Sequence, residues 1–160
     1  MLHRERSPGQ GSSGHGRLVV GLQPVREAVR VHQSAVGRVA VQRGDSGRLR
    51  ALARFARDQG VARVELLSRQ ELDRLSGGVS HQGAAAWVPE LRLANLEQVL
   101  SRPELLCVAL DGVQDPQNFG AVVRSAVALT RASVLWGEHC SAPLSLAMFR
   151  ASAGAIEHAE

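Results

Sequence analysis

From Leu18 onward the apolar positions alternate between two spacings, and the switches lay out strands and helices in turn. Leu18–Gly21 predicts a short strand. Pro24 starts a helix without losing a hydrogen bond, because a first-turn residue has no helical partner for its N–H. Val25, Ala28, Val29 and His32 then fall at helical spacing. Val36–Gln42 is valine-rich and predicts a strand. Arg48–Gln59 predicts a helix with Leu49, Leu52, Ala53 and Ala56 on one face and a stop at Gly60. Ala62–Leu67 predicts another strand. Ser68 and Glu71 form a capping-box pair opening a helix to Leu75, Gly77-Gly78 breaks it, and Ala84–Val88 predicts a strand.

A second unit follows the stretch Pro89–Pro103, which carries a short helix near Leu96–Leu100. Leu105–Leu110 is apolar at every position, as in a parallel strand buried on both faces. A polar loop, a helix over Asn118–Leu129, a strand over Ala132–Trp136 and a helix over Pro143–Ala151 complete the pattern. Strands alternating with helices predict an α/β protein. Trp87 and Phe55, both in apolar surroundings, are expected in the core.

Composition adds limits. With 160 residues, 44% hydrophobic and 21% charged, the chain can bury a core and is not disordered as a whole. No apolar run reaches the roughly 18 residues that a membrane span needs, and the first 16 residues lack the apolar stretch of a secretory signal. Those 16 residues, rich in Gly, Ser, Arg and His, are expected to be a flexible tail. They contain Gly9-x-Gly11-x-x-Gly14, but no strand precedes this glycine pattern, so it lacks the setting of a dinucleotide fingerprint. Cys107 and Cys140 supply neither a disulfide framework nor metal-ligand spacing, so no metal is expected and a reducing cytoplasm is the default.

Charge divides the chain. All 19 basic residues are arginine. Residues 1–90 hold 14 arginines against 8 acidic residues, whereas residues 91–160 hold 5 against 7. The front half is therefore a candidate for binding a polyanion, with Arg48, Arg50, Arg54 and Arg57 off the apolar face of its second helix.

In open α/β sheets ligands sit at the carboxyl ends of strands, which singles out the loop from Asp111 to Gln117. Asn118 is a natural N-cap for the helix after it. Phe119, Val122, Val123, Ala126 and Leu129 make one apolar face of that helix. Gly120, Ala121, Ser125 and Ala128 make the other side small, with Arg124 as its one large residue. Small residues let a backbone or ligand approach, and a guanidinium there can meet it.

Leu110–Ala126, reading LDGVQDPQNFGAVVRSA, closely resembles motif 1 of the SpoU family of RNA ribose 2′-O-methyltransferases. Ala151–His158, reading ASAGAIEH, resembles the start of its motif 2. Val20–Val29, reading VGLQPVREAV, resembles the opening of the family's small substrate-binding domain, and His81-Gln82-Gly83 matches a tripeptide near that domain's end. Among subgroups, the 23S rRNA guanosine 2′-O-methyltransferases are the nearest in pattern.

The resemblance implies a substrate-binding domain like ribosomal protein L30e over residues 17–89, a linker over 90–103, and the N-terminal part of a SPOUT domain over 104–160. Such a domain has a parallel sheet and a trefoil knot, binds S-adenosylmethionine in the knot, and works as a homodimer on RNA. By position, Asn118, Arg124 and Glu157 correspond to motif residues of the catalytic site, and His81 and Gln82 join the arginines as RNA-binding candidates. A guanidinium stays protonated, so Arg124 is expected to position phosphate and stabilise a developing oxyanion rather than act as a base. Asn118 either contacts the nucleotide or only caps the helix. Glu157 orients Arg124, meets a second subunit, or is a surface carboxylate. Two departures stand out. Thr130 replaces a usual glycine, and a β-branched residue there would strain a left-handed helix end or change the turn. The family's motif 3 and the rest of motif 2 are not in this sequence, so the cofactor pocket is expected to be incomplete. The two functions this leaves are RNA 2′-O-methylation and RNA binding without methyl transfer.

Overall fold

The computed structural model describes residues 16–44, 46–94, 96–101, 106–130, 132–137 and 140–159. Nearly all of the tail, residues 1–15, lies outside the described residues, as does the expected first strand residue Leu105.

The front half builds one four-stranded mixed sheet. Its strands are β1 (Arg17–Val20), β2 (Arg38–Gln42), β3 (Val64–Leu67) and β4 (Ala84–Val88), in the order β1-β4-β2-β3. β4 runs antiparallel to both β1 and β2, and β3 lies parallel to β2. One face carries Val19, Val39, Val41, Ala84, Ala86 and Val88 beneath helices α1 (Leu22–His32) and α2 (Gly47–Asp58). The other carries Val20, Ala40 and Ala85 beneath Leu72 of α3 (Arg69–Ser76). Period-two alternation on both faces is what a covered sheet requires.

α3 opens on the capping box expected from its sequence. The Glu71 N–H donates to Ser68 Oγ at 3.3 Å, and the Ser68 N–H donates back to Glu71 Oε2 at 2.7 Å. The Ser68 hydroxyl and N–H on its carboxylate hold Glu71 below the usual carboxylate range. α1 starts two residues before Pro24, and α2 one residue before Arg48.

Phe55 and Trp87 are half-buried rather than in the core. The Arg38 guanidinium stacks 3.4 Å from the Trp87 ring centre, and Arg26 lies 5.7 Å from that of Phe55. Trp87 pairs across the sheet with Leu18 and Arg38, toward the end of the face that α3 covers. The Arg38 guanidinium covers the ring there.

Residues 89–94 are irregular and lead to α4 (Leu96–Leu100). Beyond them β5 (Cys107–Leu110) and β6 (Ser133–Trp136) pair in parallel, Leu110 beside Trp136, joined by α5 (Pro116–Thr130). α6 (Leu146–Ala151) and a 3₁₀ turn over Ala155–His158 pack against α5. Phe119, Val123, Met148, Phe149 and Ile156 form this core, with the Phe119 and Trp136 rings edge to face at 5.5 Å.

Leu129, expected on the buried face, is 82% exposed. A 15-residue helix spans about 22 Å and a four-residue strand about 13 Å. The last turn of α5 therefore overshoots the sheet. Thr130, in that turn, is not strained. It keeps ordinary helical geometry, and its hydroxyl donates to the Ala126 carbonyl at 2.8 Å and accepts from the Ala132 N–H at 3.3 Å. The hydroxyl closes a helix end that a glycine would have closed by turning left-handed.

Candidate functional site

Asp115, not Asn118, caps α5. Its carboxylate accepts from the Gln117 N–H at 3.2 Å and the Asn118 N–H at 3.1 Å, while Pro116 takes the first helical position. Asp-Pro wins because aspartate is at least as good an acceptor as asparagine there, and proline has no N–H to satisfy. The Asn118 side chain is thereby left exposed for other use.

Asn118 and Arg124 do not meet. They are six residues apart, about 120° around the helix. Asn118 lines a shallow trough with Val108, Ala121, Val122 and Ser125. Arg124 lines a cleft of about 470 Å³ between the two halves, with Gln23 and Glu27 of α1, Ala128 of α5, and Ser152 and His158 after α6. The close approach expected along the small side of α5 occurs at Gly120. A Cβ there would stand 2.6 Å from the Met148 carbonyl oxygen and from Ala151 Cβ, so α6 fits only against a glycine. Arg124 is exposed, and no ion pair holds it among the described residues.

Glu157 is neither a surface carboxylate nor a partner of Arg124. Gly154, at φ 88°, turns the chain back so closely that a Cβ would lie 2.6 Å from Glu27 Cβ. The turn after it inserts Glu157 between the halves with its side chain fully buried. There it pairs with Arg17 of β1 and lies 2.8 Å from His32 Nε2 of α1. Arg17 also stacks 4.9 Å from the Phe149 ring centre. Next along the turn, His158 Nε2 lies 3.0 Å from Glu27 Oε2. Arg150 Nε donates to the Ser80 carbonyl at 3.1 Å. Arg17, Glu27 and His32 were not singled out as site residues in the sequence. The available signal was a titratable side chain on the apolar face of a helix, which His32 is; Glu27 lies on the opposite side of α1 and gave no such sign.

His81 is 8% exposed, and both ring nitrogens are occupied. Nδ1 accepts from the Gly83 N–H at 2.9 Å, so Nε2 carries the proton and donates to Asp73 Oδ1 at 2.9 Å. It holds the turn before β4 with both nitrogens paired inside the chain. Gln82, at φ 50°, accepts from the Leu22 N–H at 3.2 Å and so caps α1 while its amide stays exposed. Arg48, Arg50, Arg54 and Arg57 are all exposed on α2. Arg50, Arg54 and Arg57 share one side at i, i+4 and i+7.

A second depression, about 500 Å³, lies between residues 91–99 and β5 and β6. Leu91, Leu96, Leu110 and Ile156 make it apolar, and among the described residues Arg92, Ser133 and the Trp136 indole N–H are its polar side-chain groups. Among the described residues β5 and β6 each keep one unpaired edge, and Leu93, Leu96 and Leu106 are more than half exposed. No helix among the described residues is long and apolar enough to cross a membrane.

Comparison with known proteins gives two family matches. Residues 18–94 match the substrate-binding domain of RNA 2′-O ribose methyltransferases, and residues 105–160 match the SpoU rRNA methylase family. An uncharacterised tRNA/rRNA methyltransferase of Mycobacterium bovis is 39% identical over 142 residues, covering 86% of this chain and 44% of that protein. One from Mycobacterium ulcerans is 35% identical over 157 residues, covering 95% and 50%. The chain thus spans about half the length of the curated relatives it matches. Among solved structures, a SpoU methyltransferase from Streptomyces viridochromogenes superposes with a TM-score of 0.68 at 24% identity, covering 91% of this chain and 52% of that one. An rRNA methyltransferase from Sinorhizobium meliloti superposes at 0.65 and 22%, covering 89% and 52%.

Proposed function

Because the chain belongs to the SpoU family of RNA methyltransferases, we propose that it serves the 2′-O-methylation of ribose in RNA, with the front half docking the RNA and Arg124 positioning the reacting nucleotide. The observation that carries this reading is Arg124 itself. It is an exposed guanidinium at the motif position, in a cleft whose other wall belongs to the basic front half. Arginine's planar fork suits a phosphodiester. Within this reading the RNA is ribosomal, in the pattern of the 23S rRNA enzymes. The setting is the cytoplasm, and the working unit is a homodimer.

The methyl donor of the reading is S-adenosylmethionine, and the residues present do not fit it. Its amino-acid end and ribose hydroxyls need hydrogen-bond partners. The depression against β5 and β6, apolar enough for its adenine, offers among the described residues the polar groups of Arg92, the buried Ser133 and the Trp136 indole N–H, and no carboxylate. No cofactor contact is assigned to these residues. The second reading is an RNA-binding module without methyl transfer.

Titrating the chain with S-adenosylmethionine in a calorimeter should give binding weaker than about 100 μM, if any. Micromolar binding would mean that the pocket is complete. The two readings separate on a transfer assay with ribosomal RNA and methyl-labelled S-adenosylmethionine. Label on ribose 2′-oxygens supports methylation, and RNA retention without label supports the binding module. Where label appears, Arg124→Lys should lower its yield by about tenfold or more with unchanged circular dichroism, because lysine keeps the charge and loses the fork. Near-normal yield would make Arg124 a structural residue.

A further inference from the structure

The cleft that holds Arg124 contains a second polar device, built from both halves of the chain. Its centre is His158, whose side chain is 41% exposed and whose Nε2 lies 3.0 Å from Glu27 Oε2. A carboxylate only accepts, so Nε2 carries the proton and donates. Glu27 is fixed in turn. It accepts from Gln23 Nε2 at 2.9 Å, and Arg30 Nη1 reaches both of its oxygens at 3.1 and 3.0 Å. With Nε2 committed, the neutral ring keeps Nδ1 as its one acceptor. Histidine and arginine line the same cleft.

A group that grips an anion and a group that accepts from a hydroxyl, in one cleft of nucleotide size, match a ribonucleotide better than a free anion or a deoxynucleotide. We propose that the cleft between the halves takes one nucleotide of a single-stranded RNA, with Arg124 on its phosphate and His158 Nδ1 accepting from its ribose 2′-hydroxyl. Glu27 is the positioning residue that sets the imidazole's tautomer and orientation. The proposal rests on the RNA reading above and deepens it: the front half contributes to ribose selection through Glu27 as well as to electrostatic docking.

The test compares a mixed-sequence 12-nucleotide RNA with the DNA of the same sequence, by fluorescence anisotropy on the chain. The wild type should bind the RNA about three- to tenfold more tightly, the worth of one hydrogen bond. His158→Ala should bring that ratio to near one while leaving DNA affinity unchanged, and Glu27→Gln should reduce it. Arg124→Ala should weaken both ligands equally. If His158→Ala fails to fold, His158→Lys keeps a donor for Glu27 and has no acceptor, so the ratio should again fall to near one. In the wild type, the His158 ring resonances should shift with RNA and not with DNA. Equal binding of RNA and DNA, or a preference that survives in the histidine variants, overturns the proposal and leaves the RNA reading standing. Failure to bind either ligand overturns both.

Discussion

Glu157→Ala should cost the protein about 3–5 kcal/mol, the penalty for removing one partner of a buried ion pair. The Glu157 side chain is fully buried and that of Arg17 is 7% exposed. Arg17 Nε and Nη1 already lack partners, so the carboxylate is the group that keeps this guanidinium from being buried alone. His32 loses the same carboxylate. The cluster joins β1 and α1 of the front half to the turn after α6, so the loss falls on the contact between the halves. Urea unfolding of the alanine variant should show a lower midpoint, and separate transitions where the wild type has one. Glu157→Gln keeps an acceptor and should cost less. Replacing the pair together, Arg17→Met with Glu157→Leu, should restore most of the loss, because no buried charge is then left unmatched. An alanine variant within about 1 kcal/mol of the wild type would remove the cluster from the account of how the halves are held.

The cluster also marks the limit of what the sequence makes legible. Periodicity located the six strands and six α-helices of the described residues within a few residues, because each is set by local spacing, and the capping box of α3 is a local pair. Arg124, singled out by the resemblance to motif 1, lines the cleft between the halves. What escaped depends on contacts between residues far apart. Glu157 stands 140 residues from Arg17 and 125 from His32, and His158 stands 131 from Glu27. A carboxylate three residues from the end gives no local sign that the fold will bury it. Asn118 was misread for a different reason: both Asp115 and Asn118 are good caps, and Pro116 decides between them. Leu129 followed the helical stripe correctly, but the stripe cannot say how long the sheet beneath it is.

The second large effect concerns the α2 arginines. Replacing Arg48, Arg50, Arg54 and Arg57 together by Gln should weaken RNA binding on the order of tenfold or more at moderate salt, with little effect on stability. All four side chains are exposed, Arg54 86% so. Glutamine supports a helix about as well as arginine does. Each phosphate contact releases counterions, so losing one lowers the dependence of log K on log salt by about 0.7–0.9. Loss of four contacts would flatten the slope by about three. The same substitutions should leave the RNA-to-DNA ratio unchanged, since that ratio is assigned to the cleft and not to α2.

The measurement that tests most directly whether these 160 residues dock RNA is the affinity of the wild-type chain for a ribosomal RNA fragment between 50 and about 300 mM salt, read beside the four-arginine variant. Log K of the wild type should fall steeply and linearly with log salt, and the variant should bind more weakly with a shallower slope. Absence of binding at low salt, or a wild-type slope that the variant reproduces, would contradict the account.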